Sequence, residues 1–109
     1  MDAPSRRQHK VAEEIAHHAG VFIAREATPQ SLITVTRADI SPDLKKITIF
    51  VSVLPESHAE EAMRFLKRQR TDFHDFLKEK TALRNVPTVD FVHDIGELNR
   101  QRIDELTRK

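Results

Sequence analysis

The sequence predicts an α+β domain of order α-β-β-α-α-β, a three-stranded sheet with its helices packed on one face. Three observations predict it. An amphipathic helical pattern opens the chain. Two strand-like runs flank a Ser-Pro-Asp turn. Two short helical stripes in broken register then precede a last alternating run. At 109 residues the chain is one domain, since compact domains commonly run to about 100–150 residues. The expected divisions are a loose arm over 1–5, the folded domain over 6–95, and a basic tail or short helix over 96–109.

From about Ser5 to Ala27, Val11, Ile15, Ala19, Phe22 and Ile23 recur on one helical face, with Glu13, Glu14 and His17 on the other. Ser5 suits an N-cap, and Thr28-Pro29 ends the helix because the residue before proline disfavours it. Gly20 inside the pattern predicts a bend or a close approach. Leu32 to Ile40 is rich in β-branched residues. Ile47, Ile49, Val51 and Val53 alternate with Thr48, Phe50 and Ser52, the two-residue period of a strand. Ser41-Pro42-Asp43-Leu44-Lys45 between them is turn chemistry, so the pair reads as an antiparallel hairpin.

Ser57-x-x-Glu60 reads as a capping box before the buried stripe Ala59, Ala62, Met63 and Leu66. That stripe would next reach Arg70, a poor core residue, and a new stripe starts at Phe73, Phe76 and Leu77. Two helices joined near Gln69 to Asp72 explain this, with Thr71 or Asp72 capping the second. Asn85-Val86-Pro87 is expected to stop that helix, and Thr88 to His93 forms the last strand.

Composition excludes several function classes. Eighteen Lys and Arg oppose seventeen Asp and Glu, so a net charge of +1 excludes a uniformly basic coat for nucleic acid. Any cationic surface must come from uneven placement. With no cysteine there is no disulfide scaffold, thiolate metal site or Cys nucleophile. No apolar run approaches the roughly 18 residues of a membrane span, and no apolar signal segment follows Met1 to Arg7, so a cytoplasmic protein is expected. The histidines lack ligand spacing. Glu13 with His17, and Glu14 with His18, read as i,i+4 surface pairs instead. No P-loop, nucleophile elbow or paired-carboxylate motif appears. The expectation is therefore no enzyme, no metal, no cofactor and no small-molecule substrate.

The strongest charge feature is Arg64-x-x-Lys67-Arg68-x-Arg70, four bases with no acid among them. Arg64, Lys67 and Arg68 share one helical face, away from the apolar stripe. Arg6, Arg7 and Lys10 form a second cluster, Lys45 and Lys46 a third, and Lys78, Lys80 and Arg84 a fourth, with the Lys80 stem expected along the apolar side. Such clusters suit RNA phosphates; as solvated faces they would carry no function. With no Tyr or Trp, and six Phe mostly on core faces, base stacking is discounted in favour of phosphate and shape contacts.

Over about residues 5–107 the order of elements meets a series of specific segments. They are Arg6-Arg7 through Val11-Ala12-Glu13-Glu14-Ile15, Leu32-Ile33-Thr34-Val35-Thr36, Ile40-Ser41-Pro42-Asp43-Leu44 and Ile49-Phe50-Val51-Ser52-Val53-Leu54. Leu83-Arg84-Asn85-Val86-Pro87, Phe91 with Asp94, and Arg102-Ile103-Asp104-Glu105-Leu106 complete the series. In this the chain resembles the ribosome-binding factor A family. The resemblance implies a type II KH-like fold, binding to the small (30S) ribosomal subunit at 16S rRNA, support for its maturation and processing, a role in cold adaptation, and no catalysis. The departure is at the helix joint, where the family keeps Ala-x-Gly and this chain has Gln69-Arg70-Thr71. The family's later Leu-Gly-Lys is likewise replaced by Leu77-Lys78-Glu79-Lys80. A joint of ordinary helix-break geometry is expected, with Arg70 supplying charge where the family brings backbone close.

The RNA-binding residues expected are Arg6, Arg7, Lys10, Lys45, Lys46, Arg64, Lys67, Arg68, Arg70, Lys78 and Arg84, on a monomer. The alternative is a protein-interaction module docking through its charged helices.

Overall fold

A computed structural model of the chain describes residues 5–26 and 31–96. The expected arm, apart from Ser5, and the expected tail, apart from Gly96, lie outside the described residues. The elements are α1 (Arg6–Glu26), β1 (Leu32–Ile40), β2 (Lys46–Leu54), a short 3-10 turn (Glu56–His58), α2 (Ala59–Arg68), α3 (Arg70–Lys80) and β3 (Thr88–His93). The α-β-β-α-α-β order and the type II KH-like architecture therefore stand.

Helix α1 begins on a reciprocal cap. The Gln8 N–H donates to Ser5 Oγ at 3.1 Å, and the Ser5 N–H donates to Gln8 Oε1 at 2.8 Å. Two otherwise free helix-end donors are satisfied at once. Ala12, Ile15, Ala19, Phe22 and Ile23 form its buried face. Gly20 does not interrupt the helix or pack closely: α1 is continuous through it, it is exposed, and a Cβ there would meet nothing within 4 Å. Glu13 pairs with His9 at 3.1 Å rather than with His17, and the His18 ring packs edge-on against Phe76.

The sheet order is β1-β2-β3. β1 pairs antiparallel with β2 from Leu32↔Leu54 to Ile40↔Ile47, with a bulge between Val35 and Arg37. β2 pairs parallel with β3 from Lys46↔Thr88 to Val51↔His93. The extra residue at the bulge is Thr36, whose hydroxyl donates to Asp94 Oδ2 at 2.7 Å. Ile47, Ile49, Val51 and Val53 bury one face of β2 under the helices, joined by Val89 and Phe91 of β3. Phe22, Phe73, Phe76 and Phe91 lie ring to ring in this core, the Phe22–Phe73 centroids 5.2 Å apart and Phe73–Phe91 5.9 Å apart. Burying each such side chain contributes roughly 1.5–3 kcal/mol.

Three local expectations are corrected. Ser57 does not cap α2. It lies inside the 3-10 turn that closes with His58 N–H donating to the Pro55 carbonyl, and α2 then starts from His58 with no side-chain cap bond. Neither Thr71 nor Asp72 caps α3. The helix resumes at Arg70, so both fall within its first turn. The second helix also ends earlier than Asn85-Val86-Pro87 implies. Thr81 turns extended after Lys80 (φ −123°, ψ 162°), and its hydroxyl donates to the Leu77 carbonyl at 2.7 Å. The residues that follow form the connection to β3, with Leu83 and Val86 packed on the core and Pro87 fully buried.

Candidate nucleic-acid interface

The site is built on the joint between α2 and α3. The α2 stripe of Ala62 and Leu66 and the α3 stripe of Phe73, Phe76 and Leu77 are both buried. One straight helix would drive Arg70 toward the core, so the helix breaks at Gln69. There φ is −89° and ψ is 1°, the bridge region that ordinary residues adopt. The Gln69 N–H is shared between the carbonyls of Phe65 (3.1 Å) and Leu66 (3.0 Å), while its own carbonyl accepts the Phe73 N–H at 2.9 Å. No glycine is needed, because no residue of the joint has positive φ.

This joint holds the densest cations of the sequence. Arg64, Lys67, Arg68 and Arg70 are grouped around it, with Arg64, Lys67 and Arg68 on α2 and Arg70 opening α3. The Arg64, Lys67 and Arg70 side chains are each half exposed or more. The Arg70 Nε donates to the Lys67 carbonyl at 3.1 Å and so occupies one of the free carbonyls at the end of α2. Two acids reach this group, Glu60 at i,i+4 spacing from Arg64 and Asp90 from a distant strand. Glu60, one turn back, meets Arg64 at 3.0 Å. Asp90 of β3 lies 3.8 Å from Lys67 Nζ and 3.6 Å from Arg70 Nη1. Arg68 has no ion-pair partner among the described residues. Between α3 and β3 runs an open cleft of about 320 Å³, lined by Arg70, Thr71, His74, Thr88 and Val89. Its donors and rims suit a polyanion strand, in which phosphate contacts fix register.

The other predicted cations fall in two places. Arg6, Arg7 and Lys10 are exposed on the first turns of α1. This end lies at the β1–β2 loop, since Gln8 Nε2 reaches the Ile40 carbonyl at 3.5 Å. Lys45 and Lys46 occupy the same end of the sheet. The Lys45 carbonyl accepts the Thr88 N–H at 2.8 Å, and Lys46 pairs with Thr88. Thr88 thus links this group to the cleft. Lys78 is exposed on α3 beyond the joint, and Arg84 is exposed in the α3–β3 connection. No hydrogen bond or ion pair ties either to the cleft among the described residues. Lys80 lies along Phe76, its Nζ 6.0 Å from the ring centroid.

Sequence reasoning missed Asp90, Thr88 and His74. The one available signal is the β3 alternation, which sets Thr88 and Asp90 opposite buried Val89 and Phe91. It also missed Phe50 as a surface aromatic. That ring is half-buried on the sheet face away from the helices, with the Arg37 guanidinium 3.8 Å from its centroid. A larger groove of about 630 Å³ separates α1 from β1. Ala16, Gly20, Val21, Ala24 and Ile33 make it largely apolar, with His17 and Arg37 as its titratable lining, and no cation of the helix joint lines it. Among the described residues, no His, Asp and Glu converge as a metal site, and no helix is long and apolar enough to cross a membrane.

The fold and the cationic joint define a small KH-like domain with a candidate polyanion cleft. The family model for ribosome-binding factor A matches residues 7–107, and the chain belongs to that family. A ribosome-binding factor A of Coxiella burnetii is 31% identical over 107 residues, covering 96% of this chain and 90% of that one. One from Phenylobacterium zucineum is 36% identical over 97 residues, covering 84% and 66%. Among solved structures, the crystal structure of ribosome-binding factor A from Thermus thermophilus superposes with a TM-score of 0.71 at 21% identity, covering 79% of this chain and 93% of that one. The Thermus thermophilus protein is also represented by a homology model fitted into a cryo-EM map of a 30S complex. That model has a TM-score of 0.69 at 21% identity, with 78% and 92% covered.

Proposed function

We propose that this protein is a non-catalytic assembly factor that binds the small ribosomal subunit through 16S rRNA phosphates and supports its maturation and processing. The observation that carries the reading is the grouping of Arg64, Lys67, Arg68 and Arg70 around one rigid helix break beside an open cleft. Family membership and the 30S complex of the Thermus protein support the choice of partner. The cations of α1 and of the β2 start, Arg6, Arg7, Lys10, Lys45 and Lys46, extend the phosphate track, with Lys78 and Arg84 as outlying contacts. The protein acts as a cytoplasmic monomer with no cofactor, holding one rRNA arrangement until maturation and then leaving, a role that matters most in the cold.

The test is co-sedimentation of the purified protein with free small subunits and with assembled ribosomes, at low and high salt. Binding to free subunits only, lost steeply with salt, is expected. Absence of binding to free subunits at low salt would overturn the reading. Binding with little salt dependence would transfer it to a protein interface, since each neutralised phosphate contributes about −0.7 to −0.9 to the slope of log K on log salt.

A further inference from the structure

Asp90 sits against two of the cations of the helix joint. Its Oδ1 alone receives Lys67 Nζ at 3.8 Å, Arg70 Nη1 at 3.6 Å and the Phe91 N–H at 2.9 Å. The carboxylate therefore links β3 to the helix joint, beside the cleft that Arg70 and Thr88 line. All three side chains are about half exposed, at 48–51%, so the pairs are weak and an incoming anion can reach them.

We propose that Asp90 is a built-in competitor for RNA phosphate at this cleft, a carboxylate clasp that only a phosphate chain displaces. The inference rests on the RNA-binding reading above and names the control of that same site. The clasp is asymmetric. Arg70 is fixed to α2 by its Nε bond to the Lys67 carbonyl, a bond that does not involve Asp90, and its Nη1 is the atom directed at the carboxylate. Asp90 is fixed to β3 by the Phe91 N–H. A phosphate between them gains both cations, and its several oxygens allow the paired contacts that a guanidinium favours. A neutral ligand gains nothing for the lost pairs. Asp90 thus raises the threshold for binding and restricts the cleft to ligands whose phosphates replace it.

Asp90→Asn tests this. Asparagine keeps an oxygen for the Phe91 N–H and removes the charge. Asp39→Asn is the control for net charge alone. Asp39 pairs with Arg37 on β1, at the other edge of the sheet. Both variants and the wild type are titrated with free small ribosomal subunits over stepped KCl, after melting curves establish that each is folded. Asp90→Asn is expected to tighten binding roughly three- to tenfold, the scale of two exposed ion pairs. Its salt slope should stay close to that of the wild type, because the phosphates neutralised in the complex are the same once Asp90 is displaced. Asp39→Asn should match the wild type in both. If Asp90→Asn binds like the wild type, or Asp39→Asn tightens binding equally, the clasp is overturned and the RNA-binding reading stands. If the wild type does not bind subunits at all, the reading itself fails.

Discussion

The β1–β2 loop is held by its own side chains, whereas the α2–α3 joint is held by what packs around it. In the loop, Ser41 Oγ accepts the N–H groups of Lys45 (3.2 Å) and Lys46 (3.0 Å) and donates to Asp43 Oδ1 at 2.6 Å, which itself accepts the Lys45 N–H at 3.1 Å. These bonds hold Leu44 at φ 61°, a left-handed conformation that a leucine adopts only at some cost. At the joint α3 starts from Gln69 with no side-chain cap, and Arg70 Nε to the Lys67 carbonyl is the side-chain bond made there. Leu66 on one side and Phe73 on the other, both fully buried, set its geometry, and its exposed rim is left to cations. A joint fixed from below leaves its outer groups available to a ligand. A loop fixed by its own polar groups has already used them.

The largest effect that could break this contrast lies under the joint. Phe73→Ala should cost about 3–5 kcal/mol in urea unfolding, because the ring touches Phe22, Phe76 and Phe91. A loss below about 1 kcal/mol would mean that something other than packing sets the joint. Ser41→Ala should cost about 1–2 kcal/mol, since two loop N–H groups lose their acceptor. The matching change at the joint, Thr71→Ala, should fall within about 0.5 kcal/mol of wild type, because Thr71 is exposed and caps nothing.

Two finer measurements sharpen the contrast. Gly20→Ala should stabilise by roughly 0.5–1 kcal/mol, because the added methyl meets open space and the helix loses a flexible residue. The smallest effect is in pH. The Ser41 hydroxyl, and after it the Lys45 N–H, hold the Asp43 carboxyl below its ordinary 3.8. A depressed folded value means that the ionised form stabilises the fold above 3.8 and that this contribution fades as pH falls through the folded value. The stability gap between wild type and Asp43→Asn should therefore be flat near neutral pH and should shrink only below 3.8, as acid titration of both proteins would reveal.

What is legible in the sequence follows the same division. The Ser5 cap, the Ser41 to Lys45 turn and the bounds of Thr88–His93 depend on neighbours along the chain, and the residue pattern displays them. The break near Gln69 is also legible, because a stripe that would bury Arg70 cannot continue. The failures lie where distant groups decide. Ser57 has the pattern of a cap, yet the chain leaving Pro55 first winds a 3-10 turn. Thr71 and Asp72 have the chemistry of caps, yet packing restarts the helix at Arg70, with Gln69 in the cap position. Asp90 joins the basic cluster only because the fold sets β3 beside the joint, a proximity that no spacing along the chain displays.

The most direct test of the central claim is a titration of free small subunits with the triple variant Arg64→Glu/Lys67→Glu/Arg68→Glu, in parallel with wild type, over stepped KCl. The variant is expected to fold with nearly unchanged melting, to bind at least about tenfold more weakly, and to show a salt slope shallower by about 0.7 for each lost phosphate contact. A folded variant that binds with wild-type affinity and slope would contradict the claim.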